Sequence, residues 1–139
     1  MNLFAQRIAL SKIFGLIIGT IGYVALAQIA PTLPSLTHWG VLLWYLTFGT
    51  LIGCFGSMKT FQYTKNFSIT LPTWIRGGLM GGWLNFVVSF FAYESMQHVL
   101  NNLGITYSPM LLFTLEGIVL GILLDLFLTK LTGEGKDLF

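Results

Sequence analysis

The chain is short of charge. Asp, Glu, Lys and Arg make up only 9% of its 139 residues, about a third of their usual share in soluble domains. A soluble protein of this size must cover most of its surface with polar atoms, and this supply does not reach that far. The net charge of +2 is too small and too dispersed for a nucleic-acid partner. The single cysteine, Cys54, permits no intrachain disulfide and no cysteine-based metal site, and it fits packing within an apolar run. Also missing are His-Glu-x-x-His, Gly-x-Ser-x-Gly, a Walker loop and Cys-x-x-Cys. No Ser/Lys or Ser/His pair stands out at one depth either, so a membrane enzyme has no residues to act with, and neither a cofactor nor a metal is expected.

Apolar sequence is what the chain has in excess, at 55% of residues, with aromatics at 15%. Four runs reach the roughly 20 residues that a helix needs to cross a bilayer. They cover residues 10–30, 39–58, 72–97 and 109–131. Pro31 and Pro34 stop the first, and Thr37 can cap the second with Trp39 at the interface. Thr70 and Pro72 open the third, and Asn101 to Gly104 end any extension of it beyond the membrane. Ser108 and Pro109 supply the fourth with an N-cap and a first-turn proline, and Gly133 closes it. Short connections make successive helices antiparallel neighbours. The expected fold is an all-α integral membrane protein, an antiparallel four-transmembrane-helix bundle forming one membrane domain over residues 1–139.

No cation occurs in the loops at 31–38 and 98–108. Arg7 and Lys12 precede the first span, Lys59, Lys65 and Arg76 surround the connection between the second and third, and Lys130 and Lys136 follow the fourth. By the positive-inside bias both termini are expected in the cytoplasm, in a bacterial inner (plasma) membrane. So one-sided a pattern argues against insertion both ways up. A cleavable secretory signal is the rival reading of the first run, with Ala25-Leu-Ala27 as its processing site. The glycines of that run repeat the pattern of the later helices, which favours a retained helix.

Every span carries a Gly-x-x-x-Gly: Gly15/Gly19, Gly49/Gly53, Gly77/Gly81 with Gly78/Gly82, and Gly117/Gly121. The first two extend to Gly22 and Gly56. In the third span Gly78, Gly82, Asn85, Ser89 and Ala92 fall at steps of four, three, four and three, one stripe of a helix. In lipid, where apolar surfaces do not attract one another hydrophobically, such stripes let backbones pack closely and hold helices together. With the termini inside, the glycines lie in the cytoplasmic half and the middle, while Tyr23, Trp44, Tyr45, Phe90, Phe91 and Phe113 crowd the outer half. Two consequences stay open: a bundle filled by those rings, or a crevice opening outward.

Few polar groups lie within the spans. Glu116 sits seven residues after Pro109, about 10 Å below the outer boundary at 1.5 Å per residue. Charge at that depth is costly, so the side chain is expected to be protonated, paired or beside water, and it is the first functional candidate. Asn85, Ser89, Tyr45 and Thr47 are the groups expected within its reach. Asp125 lines up with Gly117 and Gly121 near the cytoplasmic boundary. Arg76 lies off the seam of its own helix, so it is expected to snorkel to lipid phosphates, leaving Asp125 to Lys130, Lys12 or water. Glu94 and His98 stand at i and i+4 with His38 in the other outer loop, and solvated loop residues explain them better than a zinc site. Two functions follow as expectations. One is a self-associating or accessory membrane module, a homo-oligomer or part of a larger membrane complex. The other is a small transporter or channel for an ion, small solute or lipid, with Glu116 binding the proton or cation.

Overall fold

The computed structural model describes residues 2–58, 60–64 and 67–138. Lys59 and Lys65, two of the cations that bear on orientation, lie outside them. Five α-helices follow in order: α1 Leu3–Ile29, α2 Ser35–Phe55, α3 Thr73–Phe91, α4 Tyr93–Asn102 and α5 Pro109–Thr132, then a 3-10 turn at Gly135–Leu138. The connection from α2 to α3 carries a two-stranded antiparallel hairpin, β1 Thr60–Thr64 and β2 Phe67–Thr70, with Thr60 opposite Thr70 and Phe61 opposite Ile69.

Three helices, α1, α2 and α5, are long and apolar enough to cross a membrane. The 19 residues of α3 include Arg76, Asn85 and four glycines, which hold its hydropathy down. The stretch expected as one helix over 72–97 divides at Ala92, whose φ of −105° and ψ of 12° leave the helical region. The apolar run stops there, and Glu94, Gln97, His98 and Asn101 make α4 a separate polar helix with no buried residue. It ends near Gly104, where φ is 70°.

The long helices pair off, α1 antiparallel to α2 and α3 antiparallel to α5. In the first pair, a Cβ added at Gly19 would stand 2.7 Å from the carbonyl oxygen of Leu42, and one at Gly15 would collide with that of Tyr45. A Cβ at Gly49 would strike the Ser11 carbonyl, and one at Gly22 would come within 2.8 Å of Val41 Cγ1. In the second pair Gly77 faces the backbone of Gly121, and Gly81 that of Gly117. Gly78 and Gly82 are buried one step round the helix, against the side chains of Ile122 and Ile118. Where only a hydrogen stands between two backbones, dispersion contacts and Cα–H···O contacts form along the seam.

Between the pairs lies an apolar cluster of Phe48, Ile52, Leu124 and Leu128, flanked by Phe14, which meets Phe127 edge-on at 4.7 Å. Both termini gather at one end of the molecule, hereafter the terminal end, where Arg7 of α1 reaches Gly53 and Gly133. At the far end the Asn102 amide donates to the Ile29 carbonyl at 3.0 Å, and Thr32 Oγ1 lies 3.1 Å from His98 Nε2.

Candidate functional site

The charged side chains between the helices lie at two places, one toward each end of the molecule. At the terminal end Arg7, Arg76 and Asp125 are buried together. Asp125 accepts from Arg76 Nε at 2.8 Å and Nη2 at 3.0 Å, and a short hydrogen bond joins it to Arg7 Nη2. Arg7 also donates through Nε to the Gly53 carbonyl at 3.1 Å and through Nη1 to the Gly133 carbonyl at 2.8 Å. Arg76 Nη1 donates to Glu134 at 3.1 Å, and Thr73 donates to the same carboxylate oxygen. Two cations and two anions make the knot formally neutral. Among the described residues no buried side-chain nitrogen or oxygen lacks a partner, so the knot is complete as it stands.

This corrects two expectations. Arg76 does not snorkel to phosphates, and Asp125 is held by Arg7 and Arg76 rather than by Lys130 or Lys12. A guanidinium on a long stem spans the angular offset that separates Arg76 from the seam of α3. Arg7 was missed as a partner, although the signal is present: Arg7, Ser11, Gly15 and Gly19, at steps of four, are the buried residues of α1. The groove for Arg7 depends on Gly56, where a Cβ would overlap the guanidinium. The loop that offers the Gly133 carbonyl depends on φ of 82° at that residue, a backbone conformation that favours glycine.

At the far end the two helix pairs part around a cleft of about 770 Å³, lined by α1, α2, α3, α4 and α5. Its walls are apolar, with Leu26, Val41, Met96 and Leu112 typical of them and Trp44, Phe91 and Phe113 among the aromatic members. Among the described residues Glu116 is the only charged side chain on the lining. Its Oε1 accepts a 2.5 Å hydrogen bond from the Tyr45 hydroxyl, and its Oε2 has no protein partner among the described residues. Tyr45 is itself buried and packs on Phe48, so the carboxyl is steered from α2 by a ring that has little room to turn.

Of the groups expected to reach Glu116, only Tyr45 does. Asn85 is fully buried but turned to other work: Trp44 Nε1 donates to its Oδ1 at 3.0 Å, and its Nδ2 donates to the Phe113 carbonyl at 3.0 Å. One amide thereby ties α2, α3 and α5 together beneath the cleft. Ser89 is buried and bonds back to the Phe86 carbonyl, and Thr47 to that of Leu43, each within its own helix. Phe90 and Phe91 turn outward at 60% and 86% exposure, so neither props the helices apart. His38 donates from Nδ1 to the Pro34 carbonyl, and no group of three metal-ligating side chains occurs among the described residues. In comparisons with known proteins, no family model, curated protein or solved structure matches the chain.

Proposed function

We propose that the chain is a four-span membrane protein with both termini cytoplasmic, acting as a small proton-coupled transporter whose solute enters the far-end cleft from outside. The fourth crossing is α3, which runs beside α5 from Gly77 opposite Gly121 to Asn85 opposite Gly117; a helix paired along a crossing helix crosses with it. Its 19 residues extend about 28 Å at 1.5 Å each, near the thickness of the hydrocarbon layer. Arg7, Lys12, Arg76 and Lys130 all belong to the terminal end, the side that the positive-inside bias assigns to the cytoplasm.

The observation that carries the transport reading is Glu116 at the wall of the cleft, with one carboxyl oxygen held by Tyr45 and the other unshared. An acid so placed can take up and release a proton, while the neutral, fully bonded knot closes the opposite end. The test is a pH jump across proteoliposomes with a pH-sensitive dye trapped inside. The wild-type protein is expected to carry protons down the gradient. Glu116→Gln, which keeps the side-chain shape and an acceptor for Tyr45, should slow the rate at least about ten-fold, the change a lost general acid–base group commonly exceeds. Equal rates in two equally well-folded proteins would overturn the reading.

One feature favours a second role, a self-associating accessory module. The outward face of α3 and α5 has a shallow furrow floored by Gly78 and Gly82 between the exposed Trp74 and Trp83. If copies of the chain, or a larger complex, dock there, Trp83→Ala should shift the assembly toward the monomer in lipid nanodiscs.

A further inference from the structure

The lining of the cleft selects among ligand classes. Its volume of about 770 Å³ matches sites that take a drug-sized molecule. A bare metal ion has little here to replace its hydration shell: among the described residues Glu116 is the only carboxylate on the lining, and the other side-chain oxygens are the hydroxyls of Thr37, Tyr45, Thr47 and Ser95 rather than carboxylates or carbonyls. An anion meets no Lys, Arg or His on the lining and one acid that repels it. A neutral hydrocarbon chain suits the walls but leaves Glu116 Oε2 facing apolar surface without a partner. An apolar body bearing one positive charge satisfies both features. Trp44 and Phe113 on the same lining supply aromatic surface, which favours such a charge over a neutral group.

Resting on the transport reading above, we infer that the cleft binds a lipophilic organic cation, its charged centre against Glu116 and its apolar body along α2, α4 and α5. Glu116 then holds either the proton or the cation, and one is released as the other binds. Among the described residues Tyr45, facing the site from α2, is the only other titratable side chain on the lining, and α1, α3 and α4 contribute none. Acidification therefore removes the negative charge that the ligand needs, and binding falls as pH is lowered.

The probe is radiolabelled tetraphenylphosphonium, a permanent organic cation, added to the full chain in nanodiscs with empty discs subtracted. Saturable binding is expected at about pH 8, weakening at least about three-fold at about pH 4, where even a Glu carboxyl of reference pKa, about 4.3, is roughly two-thirds protonated. Glu116→Gln should weaken binding by a factor of about ten or more, the least expected of a charge pair shielded from bulk water. Three results would overturn the cation assignment: no saturable binding at the higher pH, binding indifferent to both pH and Glu116→Gln, or full displacement by uncharged dodecanol. Any of these beside a Glu116-dependent proton flux removes only the ligand class, whereas loss of that flux dependence removes the transport reading itself.

Discussion

Asp125 joins three helices, holding Arg7 of α1 and Arg76 of α3 from its place on α5. It is the shared counter-charge of two buried guanidiniums, and three of their donors end on its two oxygens. Replacing a partner in such a set leaves a buried charge uncompensated, at a cost of about 3–5 kcal/mol. Asp125→Ala should therefore unfold at markedly lower temperature in nanodiscs than wild type, and an unchanged melting curve would contradict the knot. Asn85→Ala tests the second junction. It strands the Trp44 indole N–H, while the Phe113 carbonyl keeps its place in the α5 ladder, for an expected loss of about 1–3 kcal/mol. Sequence reasoning identified Glu116, Asp125 and Arg76 by type and depth. It missed the Arg7–Asp125 pair because helical angles describe one helix at a time, while Arg7 and Asp125 meet from opposite ends of the chain. Asn85 misled for a related reason: a buried amide takes whichever partners the neighbouring helices bring, and here those were Trp44 and Phe113.

At the scale of the helices the glycines are not equivalent. Gly81 has the Gly117 carbonyl where a Cβ would go, whereas a Cβ at Gly40 meets nothing within 4 Å. Gly81→Ala should force α3 away from α5 and lower stability by an amount typical of overpacking, about 1–3 kcal/mol. Gly40→Ala should be neutral or stabilising by up to about 1 kcal/mol, since alanine replaces the most flexible residue in a helix with open space around it. Thermal unfolding of the two variants side by side separates close packing from ordinary glycine content. End signals made the limits of α5 readable: it begins at Pro109 and stops just before Gly133. By contrast, α1 starts at Leu3 rather than residue 10 and α2 spans Ser35–Phe55 rather than 39–58, because apolar run length does not count the polar turns that continue a helix beyond the membrane. The break at Ala92 was less readable, because no proline or glycine marks it, only the turn from Phe91 to the polar Glu94 and Gln97. The strand pairing of residues 60–70 went unremarked, since Thr, Phe and Ile at that density favour strand as readily as an irregular loop.

For the molecule as a whole, the direction in which the cleft opens can be checked without knowing the solute. With Cys54→Ala as background, Val88→Cys places a thiol on the cleft lining, and Lys12→Cys places one at the terminal end. An impermeant maleimide applied to intact cells should label the first and spare the second until the membrane is permeabilised. The reverse pattern would invert the proposed topology, and protection of both would argue against an accessible cleft.

The ionic knot also has a mechanical consequence. Each helix pair is bonded tightly within itself, and its strongest tie to the other pair lies at one extremity, so the knot serves as a fulcrum. From Asp125 to Pro109 is sixteen residues of α5, a lever arm of about 24 Å. A rocking motion of roughly 5° about that pivot would displace the lips of the opening by about 2 Å while scarcely disturbing the guanidinium bonds. In such a motion the displacement grows with distance from the pivot, so it would be largest at the rim beside Pro109 and a little over half as large at Glu116, which lies nine residues from Asp125.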